Sequence, residues 1–152
     1  RLADILEKYD LEINFYLHAK FQEYSDQFQS KSHRIHLISF GEVAVNEMLM
    51  RCRMLITDYS SVCWDVLYQD KPSLFYQLDK YDEAHGSYLD MKTELFGDRA
   101  ENEEQLLTLL EEQIKNDFRL KPQYEEMRKS YFQFKDQAHS RHICEEIKEK
   151  LL

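Results

Sequence analysis

Hydrophobic positions along the chain switch between a helical period and a strand period, and the switches mark out alternating elements. In RLADILEKYD, Leu2, Ile5, Leu6 and Tyr9 fall on one helical face, which predicts an amphipathic helix. LEINFYLH then places Ile13, Phe15 and Leu17 in alternation with Asn14 and Tyr16, the period of a strand. FQEYSDQFQS is polar with spaced aromatics and reads as a short helix or an ordered loop, and RIHLISF as a second short strand. GEVAVNEMLMRC carries Val45, Met48, Leu49 and Cys52 on one helical face. RMLITD is a continuous apolar run of strand length, the pattern of a parallel strand buried on both faces. SVCWDVLYQ is a helix with Ser60 or Ser61 as its N-cap, and Pro72 breaks the chain before the apolar strand SLFYQL.

Strands that alternate with helices imply a parallel sheet with right-handed crossovers, so the expected fold class is α/β, three layers, Rossmann-like. Residues 79–100 are polar and turn-like, punctuated by Gly86 and Gly97. Beyond them, NEEQLLTLLEEQIKN repeats leucine at helical spacing, and Pro122 opens a second long helical region running to Leu152. One domain over residues 1–152 is expected, with 101–152 as its helical C-terminal part.

Composition narrows the function. A net charge of −9 argues against nucleic acid as a partner, because phosphate backbones demand a basic surface. It leaves room for one local anion site built from backbone N–H groups. Cys52, Cys63 and Cys144 form no CxxC pair, so they read as reduced thiols in a cytosolic protein, each a small buried hydrophobe. No apolar run has the length of a membrane span. The chain opens without an initiator methionine, and a piece of a longer protein is expected.

In open parallel sheets, ligands sit beyond the carboxyl ends of strands, at the amino ends of the following helices. Here that place is TDYSS. Unpaired N–H groups at a helix start attract phosphate, and Ser60 and Ser61 add rotatable hydroxyl donors. Asp65, about one helical turn further on, can accept hydrogen bonds from a sugar or polyol hydroxyl. The plain alternative is that Ser60 is only a helix cap and Asp58 only a loop carboxylate. Spacing alone leaves both open. There is no G-x-x-x-x-G-K-[ST], which excludes a nucleotide-hydrolase P-loop. His18, ending the strand INFYLH, would face the same sheet edge and is the candidate acid, base or diphosphate ligand. The other histidines show no zinc spacing, and no acidic cluster beyond Asp58 suggests a divalent metal.

The stretch LITDYSSVCWDVLYQDKPSLFYQLDKYDE resembles the signature of the CDP-glycerol glycerophosphotransferases of teichoic-acid synthesis, which read L-I-T-D-Y-S-S, a later D, a K/R-P-x-x-F-Y strand and a Y-D turn. FYLH is similar to the family's L-R-x-H strand, and FKDQAHSRHICEEI to a D-G-x-x-S-x-R-I segment. The resemblance implies the C-terminal, donor-binding lobe of a two-lobed GT-B fold, with the amino-terminal lobe outside this chain. It implies transfer of glycerol phosphate from CDP-glycerol to a polymer end with release of CMP, without a further cofactor. The acceptor would be lipid-linked, at the inner face of the cell membrane. By position, Ser60 and Ser61 would hold the donor phosphates, Asp65 its polyol or ribose, and His18 would act at the diphosphate. Tyr16, Leu17 and Asp58 would complete the donor site. Tyr16 stands where the family carries arginine, which removes a bidentate phosphate clamp. A CDP-ribitol donor, a nucleotide-sugar donor and a non-catalytic relic of the fold are the alternatives.

Overall fold

The structure is a computed structural model and describes residues 1–78 and 94–151. In chain order it has α1 (Leu2–Lys8), β1 (Ile13–Tyr16), a 3₁₀ segment (Ala19–Gln27), β2 (Ile35–Ile38), α2 (Val45–Arg51) and β3 (Leu55–Thr57). It continues with α3 (Val62–Tyr68), β4 (Ser73–Tyr76), β5 (Asp98–Ala100), α4 (Glu103–Lys115), α5 (Pro122–Tyr131) and α6 (His139–Leu151). Every strand pair is parallel, as the alternating pattern implies. Among the described residues the ladders form two sheets, β1-β2 and β3-β4-β5. The fold is Rossmann-like α/β.

Strand β4 shows why the layers stack as they do. Leu74 and Phe75 are both buried and, as neighbours on a strand, point to opposite faces. On one side Leu74 joins Ala100, Leu106 and Leu110, with Leu2 and Ile5 of α1 packed against them. On the other, Phe75 joins Cys63, Leu67 and Phe96, with Trp64 of α3 and Tyr124 of α5 alongside. Helices therefore cover both faces of the sheet, and each such buried side chain contributes about 1.5–3 kcal/mol of transfer free energy.

Three sequence expectations need correction. The span 79–100 is not wholly turn-like: Asp98–Ala100 form β5, while Gly86 and the rest of 79–93 lie outside the described residues. β5 escapes the hydrophobic pattern because it is three residues long and begins Asp98-Arg99. Asp98 is nonetheless largely buried, taking Lys121 Nζ at 2.6 Å and the Tyr124 hydroxyl at 2.9 Å. Pro122 opens a helix that stops at Tyr131, so the C-terminal region is two helices joined by residues 132–138. Cys63 is buried, but Cys52 is only partly so and Cys144 is exposed on α6.

With three glycines in the chain, helix ends are closed differently. α1, α3 and α4 each finish with an aspartate in the left-handed region, Asp10 (φ 53°), Asp70 (φ 59°) and Asp117 (φ 55°). In each, the next N–H returns to the carbonyl three residues inside the helix: Leu11 to Leu6, Lys71 to Val66, Phe118 to Gln113. These are Schellman turns, a place usually given to glycine. A carboxylate there also faces the negative end of the helix dipole. Each is offset by a cation: Arg34 on Asp10, Arg128 and Lys135 on Asp70, and Arg53 on Asp117.

Candidate functional site

β3 ends at Thr57, and residues 58–61 turn the chain into α3. The turn is fixed from within and from below. Asp58 Oδ1 accepts the Tyr59 N–H at 2.7 Å. The Asp58 carbonyl accepts a hydrogen bond from Gln77 Nε2 at 3.1 Å. Gln77 is 2% exposed and lies just past the end of β4, so its amide ties the ends of two neighbouring strands together. Sequence reasoning missed Gln77, because a lone glutamine after an apolar strand reads as a surface residue.

Ser61 occupies the N-cap position of α3 but does not act as a cap: it has helical φ/ψ (−63°, −14°) and its side chain makes no capping bond. The carbonyls of Ser60 and Ser61 accept the N–H groups of Cys63 and Trp64, which starts the helix without the hydroxyls. Among the described residues, neither serine hydroxyl has a protein partner. The plain cap reading of Ser60 and Ser61 is therefore set aside. Two hydroxyl donors and the Val62 N–H are left without a protein partner at the strand end among the described residues.

His18 lies two residues past the end of β1 and is exposed. It caps the 3₁₀ segment through Nδ1, which accepts the Lys20 N–H at 3.2 Å. An Nδ1 that accepts has no proton, so the neutral ring carries its proton on Nε2. Tyr16 is half-buried, with its ring 6.5 Å from that of Phe40, and Leu17 is buried. Among the described residues, the structure records no hydrogen bond joining His18 to Asp58, Ser60, Ser61 or Asp65. Nor does any group of three His, Cys, Asp or Glu side chains there form a metal cluster.

Asp65 points elsewhere than the strand-end turn alone. It lines a cavity of about 420 Å³ together with Trp64, Tyr68, Tyr131, Phe132, Gln133, Phe134 and His139. One wall is α3 and the other is the segment from the end of α5 to the start of α6. The two walls are stapled. Tyr68 Oη is 2.8 Å from His139 Nε2, and the Tyr68 and Phe132 rings meet edge to face at 5.2 Å. Trp64 meets Tyr131 in the same way at 5.1 Å. Phe134 stacks on His142 at 3.9 Å, and His142 Nε2 is 2.9 Å from Asp136 Oδ2. That contact, together with the Ala138 N–H, holds the Asp136 carboxyl below the usual carboxylate range. Sequence reading singled out Asp65 and the segment FKDQAHSRHICEEI separately. Nothing in periodicity said that they meet.

The fold and site define a class: a Rossmann-like α/β lobe with its open polar groups at strand ends and the following helix. The comparisons with known proteins say which family. Residues 1–149 match the model of the CDP-glycerol:poly(glycerophosphate) glycerophosphotransferase family, and the chain belongs to that family. It is 26% identical over 151 residues to the minor teichoic acid biosynthesis protein GgaB of Bacillus subtilis, covering 98% of this chain and 16% of that protein. It is 34% identical over 96 residues to the teichoic acid poly(ribitol-phosphate) polymerase of Bacillus spizizenii, covering 62% of this chain and 14% of the relative. It is 34% identical over 110 residues to the teichoic acid glycerol-phosphate transferase of Staphylococcus aureus, covering 68% and 27%. The chain thus spans less than a third of the length of each of these relatives. Among the described residues no helix is long and apolar enough to cross a membrane.

Proposed function

We propose that this chain is the donor-binding lobe of a transferase that moves a polyol phosphate from a CDP-linked donor to the end of a teichoic-acid-type polymer. One observation carries the reading: among the described residues the two serine hydroxyls and the Val62 N–H that opens α3 have no protein partner at the end of a parallel strand. That set suits a diphosphate, whose charge it stabilises without a lysine. Family membership supplies the chemistry. The acceptor hydroxyl oxygen bonds to the donor's β-phosphorus as the bond from that phosphorus to the CMP oxygen breaks. The hydroxyl proton passes to solvent or a base, and CMP leaves as an anion. Ser60, Ser61 and the helix start stabilise the charge on that leaving group. His18, with its proton on Nε2, donates to a diphosphate oxygen when the donor brings the two strand ends together. Tyr16 supplies a hydroxyl where the family pattern has an arginine.

The relatives' names include both a ribitol-phosphate polymerase and a glycerol-phosphate transferase, so CDP-glycerol and CDP-ribitol are both fitting donors. The acceptor is a lipid-linked polyol phosphate, engaged by the whole protein at the inner membrane face, and no cofactor beyond the donor is required.

An amide NMR titration tests this. CMP, CDP-glycerol and CDP-ribitol should each shift Ser60, Ser61 and Val62, with His18 following only for the CDP compounds. Each of Ser60→Ala and Ser61→Ala should weaken CMP binding about tenfold, the loss of one hydrogen bond to a charged group. Shifts with UDP-glucose alone would move the assignment to a nucleotide-sugar transferase. No shift with any of them at millimolar ligand would favour a non-catalytic relic of the fold.

A further inference from the structure

We infer that Gln77 is a positioning residue for the donor site. It fixes the peptide between Asp58 and Tyr59, and through that peptide the direction in which Ser60, Ser61 and the Val62 N–H are presented to an anion. Gln77 is 2% exposed, so it touches no ligand and acts only through the turn.

That one peptide is held at both ends. Its carbonyl, from Asp58, accepts Gln77 Nε2 at 3.1 Å, and its N–H, from Tyr59, donates to Asp58 Oδ1 at 2.7 Å. A peptide plane in a turn can rotate about its two flanking single bonds with little movement of the chain on either side. Held by its carbonyl and its N–H together, this plane cannot rotate without breaking both bonds. Ser60 is the next residue, so the orientation of the plane sets where the serine hydroxyls and the start of α3 point. The Asp58 contact is local and would travel with the turn. The Gln77 contact comes from another strand and ties the plane to the sheet.

The placing of Gln77 suits that task. The β3–β4 ladder ends with Thr57 opposite Phe75, just short of the turn. Gln77 lies past the end of β4, the middle strand of β3-β4-β5, and its own N–H donates to the Ala100 carbonyl of β5 at 2.9 Å. Its main chain is secured on the β5 side while its side chain reaches the β3 side. One residue braces three strand ends.

The choice of side chain argues the same way. An apolar strand, SLFY, leads to this buried position, and leucine or methionine would fill it without desolvating an amide, which costs about 1–3 kcal/mol when left unpaired. Glutamine alone of these brings a donor N–H. An ionised glutamate would set acceptor against acceptor. Buried and donating, Gln77 serves the turn rather than the core.

This role rests on the donor-lobe reading, and the experiment separates the two. The 152-residue chain and three variants are titrated with CMP and followed by amide NMR, with urea unfolding alongside. Gln77→Met keeps the length and removes the donor. It should move the Tyr59, Ser60, Ser61 and Val62 resonances of the free protein and raise the CMP Kd about tenfold or more. Gln113 is equally buried, at 1% exposed, and bonds Asp98 rather than the turn. Gln113→Met should therefore lower the urea midpoint and leave the CMP Kd unchanged. Gln77→Glu regains a donor when its carboxyl is protonated, which burial favours. Its Kd, divided by that of the unsubstituted chain at the same pH, should fall toward one as pH is lowered from about 8 to about 5.

Equal CMP affinity in Gln77→Met and the unsubstituted chain would overturn the role and leave the donor-lobe reading standing. So would a loss of affinity that Gln113→Met matches, the mark of a general softening of the fold. If Gln77→Met does not fold, the Gln77→Glu ratio decides, and a ratio independent of pH overturns the role. An unsubstituted chain that does not respond to CMP removes the donor-lobe reading and this role with it.

Discussion

Asp70 offers the sharpest test of how the cavity is held. It sits at the left-handed end of α3 and takes two cations from the opposite wall, Arg128 of α5 and Lys135 of the following segment. Arg128 Nε lies 2.8 Å from Asp70 Oδ1 as an ion pair, though not aligned for a hydrogen bond. The Arg128 side chain is 12% exposed and that of Asp70 49%, so the pair falls between a surface bridge and a buried one. Surface pairs contribute about 0.2–1 kcal/mol, and breaking a buried pair costs about 3–5 kcal/mol. The half-exposed aspartate puts Asp70→Asn low in that gap, at roughly 1–2 kcal/mol, mostly the cost of leaving Arg128 unpaired. Asp70→Gly loses the same pair but relieves a left-handed non-glycine residue, a gain of about 1 kcal/mol. The glycine variant should therefore be the more stable of the two, by roughly 0.5–1 kcal/mol. Urea unfolding read by Trp64 fluorescence measures both. Because the lost contacts join the walls, the native emission of both variants should also shift toward that of exposed tryptophan. A glycine variant less stable than the asparagine variant would refute the backbone half of the argument. An unchanged Asn variant would show that the clasp holds nothing.

Two glycines should respond to different degrees. A Cβ on Gly97 would meet the Ser73 carbonyl oxygen at 2.3 Å and Phe75 Cε2 at 2.8 Å, whereas one on Gly41 (φ +83°) would meet nothing within 4 Å. Gly97→Ala should cost about 3 kcal/mol or more through forced overpacking, and Gly41→Ala only about 1 kcal/mol of backbone strain, both read from urea midpoints. Burial pushes the Cys63 thiol up to about 11 and raises that of Cys52, while Cys144 is exposed. Iodoacetamide at neutral pH should thus label Cys144 first, and mass spectrometry showing Cys63 labelled in the folded chain would contradict the packing of α3. The Asp136 carboxyl is depressed in the fold, so its stabilisation is present above its unfolded value, about 3.9, and is lost as pH falls through the lower folded value. Asp136→Asn should lower Tm at pH 7 and remove part of its decline between about pH 4.5 and 3; an undiminished decline would show that another carboxyl carries it.

How much of this was legible in the chain depends on the range of the contact involved. Elements defined by their own period were readable: the face Leu2, Ile5, Leu6, Tyr9 became α1, and the apolar runs became β3 and β4. β5 was not, because Asp98 is buried by partners 23 and 26 residues away, Lys121 and Tyr124, and a polar residue gives no hydrophobic signal. The same division runs through the candidate site. Trp64, Asp65 and Tyr68 share a face of α3 by their spacing alone, so one wall of the cavity was implicit in the motif once the helix was placed. The second wall is an aromatic segment, YFQF, lying between two helices with no period of its own. It meets the first through Tyr68 and His139, 71 residues apart in the chain. The family signature picks out the first wall and, from Phe134 onward, only the end of the second, as separate landmarks. The Asp70 clasp, the Tyr68–His139 contact and the ring pairs Trp64–Tyr131 and Tyr68–Phe132 turn them into the two sides of one cavity. Gln133 and Phe134, exposed on that second wall, therefore carry no local signal of the contact between the walls.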